Sequence, residues 1–175
     1  MHKFGKIVSY LLPVIVGVVL MGFMAGCESK KAVAEKNKVL ERRAWEEVWN
    51  QGNLAAVDDI FATNYIGHNP GMPPVSGTEE YKQFFTIYST AFPDMHYAIE
   101  EMIAEGDKVA TRWTMTGTHQ GELMGIPPTG MRITVTGISM SRFADGKLAE
   151  GWNSYDILGM MQQLGVIPPP GEGGE

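Results

Sequence analysis

From Leu40, the apolar residues Leu40, Ala44, Trp45, Val48 and Trp49 fall on one stripe of a 3.6-residue period, and Asn50-Gln51-Gly52 ends it, which predicts a first helix. Leu54, Val57, Ile60 and Phe61 predict a short second one. Tyr65 to Pro70 reads as a short extended piece, because Pro70 pushes Asn69 out of the helical region. A Pro/Gly loop from Gly71 to Gly77 follows. Thr78 then opens a third helix, with Tyr81, Phe84, Phe85 and Tyr88 at i, i+3, i+4 and i+7, and Phe92-Pro93-Asp94 stops it.

Beyond Asp94 the period changes to two. Met95 to Ala104 is one candidate strand, Glu105-Gly106-Asp107 turns the chain, and Lys108 to Thr118 returns with β-branched and aromatic residues. A long loop, His119 to Gly130, leads into Met131 to Phe143. Asp145-Gly146 supplies the dipeptide that a tight hairpin needs, because positive φ is cheap only for Gly and its Asn/Asp neighbours. After that turn Leu148, Glu150, Trp152, Ser154 and Asp156 share one face at period two, a mixture of acids and indole expected of a pocket wall. Ile157, Met160, Met161 and Leu164 predict a closing helix. Helices first, then strands joined by short turns, predict an α+β fold: a curved antiparallel sheet wrapped against N-terminal helices, enclosing a cone-shaped cavity.

Composition changes the picture at the N-terminus. Lys3 and Lys6 precede an apolar run from Ile7 to Met24 that closes on Ala25-Gly26-Cys27, the three parts of an export signal. Met24-Ala25-Gly26-Cys27 resembles the lipobox of bacterial lipoproteins, which implies lipidation of Cys27 and a membrane-anchored domain facing outward in the cell envelope. An uncleaved transmembrane anchor is the competing reading, since about 20 apolar residues span a bilayer. The expected organisation is a signal peptide over 1–26, a tether over 27–38, one domain over 39–168 and a Pro/Gly-rich tail without fixed structure over 169–175. A net charge of −6 and the lack of a basic stripe argue against a nucleic-acid partner. The single cysteine, Cys27, rules out an intrachain disulfide.

The candidate chemistry centres on the last strand. Asp156, beside Trp152 and Glu150, is the candidate acid/base, positioned to move a proton on carbon next to a carbonyl; its alternative role is to cap the helix that starts at Ile157. His68, before the Pro70 turn, is a candidate to polarise a carbonyl or relay a proton, against a purely structural role. His119, at a glycine-flanked loop, is a candidate lid residue. Arg112 and Trp113 point to opposite faces of their strand; an inward Arg112 would pair with Glu150 or hold an anionic group. Trp49 and Trp152 are candidate walls for a small hydrophobic substrate. No metal site is expected, because His68, His96 and His119 are scattered without an i, i+4 pair or a Cys partner.

The pieces WNQGNLAAVDDIFATNYIGHNP, AFPDM, AEGDKVATRWTMTGTHQGELMGIPPTG and RFADGKLAEGWNSYDILGMMQQLGVIP occur in order and together resemble the SnoaL-like polyketide cyclase (ester cyclase) family over roughly Trp45 to Pro168. The resemblance implies a nuclear-transport-factor-2-like cone, often dimeric through its sheet. It also implies ring closure by intramolecular aldol condensation of a small hydrophobic carbonyl or ester compound, with an acidic residue as acid/base and no cofactor or metal. In that family a histidine lies near the cavity mouth, as His68 would, and a Glu-x-Trp pattern matches Glu150 and Trp152. Ser139 stands where the resemblance implies an inward-facing aspartate, so it joins the substrate-binding candidates. A second reading is a non-catalytic lipoprotein whose cavity or sheet binds a ligand or partner.

Overall fold

The protein is described here by a computed structural model covering residues 30–168; the predicted signal peptide, Cys27 and the tail 169–175 lie outside the described residues. The first helix, α1, is α-helical over 30–43 and continues as a π-helical stretch, Ala44–Asn50. It starts well before Leu40. Residues 30–38, read as part of a tether, are helical, because Ala34 and Asn37 are buried and the Asn37 amide donates to the Gly106 carbonyl at 3.2 Å. A polar, lysine-rich stretch conceals two inward positions that only a distant turn makes buried.

Helix α2 spans Ala55–Ile60, and strands β1 and β2 span Phe61–His68 and Val75–Ser76. Helix α3 spans Gly77–Ala91 and turns Tyr81, Phe85 and Tyr88 inward, as its helical spacing predicts. Strands β3 (His96–Glu105), β4 (Lys108–Thr118), β5 (Arg132–Ala144) and β6 (Lys147–Tyr155) follow, and helix α4 (Ile157–Gln163) closes the chain. The sheet order is β2-β1-β6-β5-β4-β3. All neighbours are antiparallel except β1 and β6, which run parallel. This is the expected α+β architecture, with α1 and α3 covering one face of the sheet. Asp145 and Gly146 both take positive φ, 51° and 73°, in the β5–β6 hairpin.

One irregularity decides what β6 presents to the interior. Phe143 faces Leu148 and Arg142 faces Glu150, so β6 carries one residue more than β5 at that point, Ala149. A bulge of this kind inverts the alternation beyond it. Leu148 faces inward, and so do Gly151, Asn153 and Tyr155. Glu150, Trp152 and Ser154 are therefore turned to the outer face, which corrects the expectation that they share a cavity wall with Leu148. Asp156 is exposed and caps α4, its Oδ1 accepting from the Gly159 amide at 2.8 Å. Of the two roles weighed for it, the structure displays the cap.

Two substitutions test this packing. Gly137 on β5 leaves room for the Trp113 indole, and a Cβ there would meet that ring and lie 2.9 Å from the Ser154 carbonyl oxygen. Gly137→Ala is expected to cost about 1–3 kcal/mol in chemical denaturation, by overpacking a filled site. Asp156→Ala, which leaves the first turn of α4 uncapped, is expected to lower stability by about 0.5–2 kcal/mol; an unchanged denaturation midpoint would refute the capping role.

Candidate active site

The inner face of β1, β4, β5 and β6 and the facing sides of α1 and α3 enclose a cavity, with Met160 of α4 at one wall. Counted with its open mouth, and so with some bulk solvent, the space is about 870 Å³. Its walls are aromatic. Trp49 packs against Phe84, Tyr88 and Tyr97 with ring centroids 6.1, 6.5 and 5.2 Å away, and Trp45 lies 5.8 Å from Trp113. The π-helical stretch brings both α1 tryptophans to this lining; such widened turns are frequent at functional sites.

Two hydrogen-bonded sets among the polar groups of the lining concern the sheet and Glu41. In the first, the Trp113 indole N–H donates to Ser139 Oγ at 2.9 Å, the Ser139 hydroxyl donates to Asn153 Oδ1, and Asn153 Nδ2 donates to Asn69 Oδ1 at 2.9 Å. Every member lines the cavity, and each bond points the same way, so the dipoles reinforce one another toward the Asn69 amide. The second set surrounds Glu41 on α1. Its side chain is 2 % exposed, and its Oε1 accepts from the Trp45 indole at 2.9 Å and from the Thr111 hydroxyl at 3.3 Å. The Ser141 hydroxyl lies close enough to the carboxyl to lower its pKa, although Oε2 makes no hydrogen bond of regular geometry. Burial raises the Glu41 pKa above the ordinary carboxylate range, because desolvation outweighs the hydrogen bonds from its neighbours.

Among the described residues no Lys, Arg or His lines the cavity. Burial drives the Tyr65, Tyr81, Tyr88 and Tyr97 hydroxyls upward from their usual pKa, so these four phenols stay neutral. Trp49 Nε1 donates to the Tyr81 hydroxyl at 2.9 Å, and the Tyr88 and Tyr155 hydroxyls share a hydrogen bond of 3.2 Å. The cavity can accept a flat apolar molecule and offer neutral donors to its oxygens. It has no cation to meet an anion.

Of the residues singled out from sequence, Trp49 and Ser139 line this space and the others do not. His68 lies between Gly67 and Asn69, which face the cavity, so alternation along β1 sends its ring to the outer face. There it stacks on Trp152 at 5.5 Å and donates to Glu150 Oε1 at 3.0 Å, while Arg142 holds Glu150 Oε2 at 3.0 Å. These contacts, His68 first and then Arg142, hold the Glu150 pKa below its usual range. Trp152, Glu150 and His68 thus form an outer cluster instead of a cavity wall. Arg112 also faces outward, its side chain 54 % exposed and 3.9 Å from Glu101. It therefore pairs with neither Glu150 nor a cavity ligand.

His119 is no lid. Its ring is fully buried beside Phe92, with centroids 5.2 Å apart, and its Nδ1 accepts from the Thr129 amide at 3.2 Å, which pins the base of the β4–β5 loop. Desolvation lowers its pKa. Among the described residues no three His, Cys, Asp or Glu side chains gather as a metal site would require.

Sequence reasoning missed Glu41, Asn69 and Asn153. The signal for Glu41 was present: it lies four residues before Trp45 on the apolar stripe of α1, so a carboxyl and an indole meet on an inward helical face. Asn153 was out of reach, since locating it requires the bulge at Ala149.

The sequence and the fold have counterparts among known proteins. The chain is 31% identical over 136 residues to the aklanonic acid methyl ester cyclase DnrD of Streptomyces peucetius, covering 75% of this chain and 92% of that one. It is 28% identical over 129 residues to the nogalonic acid methyl ester cyclase of Streptomyces nogalater, covering 71% and 95%. The structure of TsrD from Streptomyces laurentii superposes with a TM-score of 0.69 at 26% identity, over 76% of this chain and 97% of that one. With the sequence pattern of the SnoaL-like polyketide cyclases matching residues 39–164, the chain belongs to the SnoaL-like polyketide cyclase family.

Proposed function

We propose that this protein closes a ring within a small, neutral, aromatic carbonyl compound whose carboxyl group is masked as an ester, by joining the carbon next to one carbonyl to a second carbonyl carbon. The observation that carries this reading is the lining of the cavity: aromatic walls, a directed chain of neutral donors ending at Asn69, and no cation. A ring closure of this kind exchanges one proton and no electrons, so side chains suffice for it. A free carboxylate would enter a desolvated space without a positive partner, a burial that is strongly unfavourable. An ester leaves the same oxygens as acceptors only. The relatives in Streptomyces carry names of methyl ester cyclases, which supports the same substrate class.

The N-terminal sequence adds where this chemistry takes place. Lys3, Lys6, the apolar run and Ala25-Gly26-Cys27 support export and lipidation at Cys27, placing the domain on the outer side of a membrane. The exposed Ile103, Ile138 and Met140 support pairing of two copies through the outer face of the sheet.

The substrate class is tested by incubating the protein with an aromatic polyketide β-keto methyl ester and with the corresponding free acid. The ester is expected to give a product of identical mass and new retention time, while the acid binds about ten-fold more weakly or worse. Equal use of the acid, or ester binding without any product, would overturn the reading. For the anchor, metabolic labelling with a radioactive fatty acid is expected to mark the protein and to fail in Cys27→Ala; labelling that persists in the variant would exclude Cys27.

A further inference from the structure

We propose that Glu41 is the proton-transfer residue of the cavity, resting as the neutral acid and donating from Oε2 to a carbonyl oxygen of the bound compound. The proposal rests on the cyclase reading above. It assigns the acid/base to α1, away from the last strand where sequence reasoning had looked.

Three observations converge on this carboxyl. Among the described residues it is the one carboxyl of the cavity lining, and no cation lines the cavity with it. Its oxygens are unequal: Oε1 already accepts from Trp45 and Thr111, whereas Oε2 is buried without a partner. An ionised carboxylate would leave a full lone-pair set of Oε2 unanswered in a dry site, so the proton belongs on Oε2. The groups that face it from every packed element are neutral: the phenols Tyr65 of β1 and Tyr81 of α3, the hydroxyls Thr111 of β4 and Ser141 of β5, and the Trp45 indole of α1 itself. A ligand carbonyl in the cavity gives the O–H of Glu41 the acceptor that the protein withholds.

The step balances with this one residue. As the enol carbon of the compound bonds to its second carbonyl carbon, the π pair of that carbonyl moves to oxygen, which takes the Oε2 proton and becomes a hydroxyl. The enol oxygen becomes a carbonyl and releases its own proton to the Glu41 carboxylate, which restores the acid. The chain Trp113–Ser139–Asn153–Asn69 positions the compound by donating to another of its oxygens and takes no proton.

Glu41→Gln keeps the size of the side chain and an acceptor for Trp45, and removes the transferable proton. On the full chain, the variant is expected to retain fold and ester affinity within about three-fold while kcat falls by about 100-fold or more, the usual contribution of a positioned acid. In the wild type, kcat is expected to fall as pH rises through the raised pKa of Glu41, a limb absent from the residual rate of the variant. Trp45→Phe, which deletes one donor to Oε1, is expected to move that limb to higher pH.

A readout independent of turnover comes from linkage. The folded chain keeps a proton on Glu41 that the unfolded chain releases above the ordinary carboxylate pKa. Stability is therefore lost as pH rises from that value to the folded pKa, and Glu41→Gln abolishes this loss in thermal denaturation. A variant with unchanged kcat, or a protonated-carboxyl infrared band missing from the wild type near neutral pH, would overturn the assignment. Absence of turnover by the wild type itself would instead sink the cyclase reading, and the infrared band would still decide the state of Glu41.

Discussion

The register of β6 against β5 is the constraint on which the interior depends. Because Ala149 is an extra residue opposite the Arg142–Phe143 step, Leu148 and Asn153 look into the same space although their spacing is odd. Side chains on a strand have two directions only, so a one-residue insertion exchanges the whole content of the wall beyond it. Without the bulge the interior would hold Glu150 and Trp152, and Glu150 would have to leave the Arg142 and His68 contacts that satisfy it on the outer face. The bulge separates a charged, solvated face from a neutral, enclosed one within a single strand.

That separation governs the electrostatics. Outside, Glu150 is paired and its pKa is held low by His68 and Arg142. Inside, Glu41 is unpaired and its pKa is raised by desolvation. Two glutamates in one domain have their pKa driven in opposite directions by whether water and cations reach them. Aromatic packing maintains the contrast. Trp45 is buried against Tyr97 and Trp113 while its N–H serves Glu41, so the same side chain excludes water and orients the acid.

Helix α1 contributes more to the interior than its composition suggests. Its polar N-terminal half is anchored through Asn37 to the β3–β4 turn, and its C-terminal half widens into π-helical turns that deliver Trp45 and Trp49 to the cavity. The family membership explains the frame common to this chain and its relatives. In this chain the walls carry a serine pair and two asparagines along the sheet, and a carboxyl on the helix facing them.

The helices, the four long strands from β3 to β6, the Asp145-Gly146 hairpin and the α+β class were legible in the residues, because helical and strand periods and turn chemistry are local properties; β2, inside the stretch read as a loop, and the start of β1 at Phe61, read as helix, were not. The inward position of Trp49 was legible too, from the stripe it completes. Tertiary structure alone decided which face of β6 is inside, the parallel pairing of β1 with β6, and how completely the inward Glu41 is desolvated. A bulge is a mismatch between two strands, and desolvation is a property of everything packed around a group; neither exists in a chain considered one residue at a time.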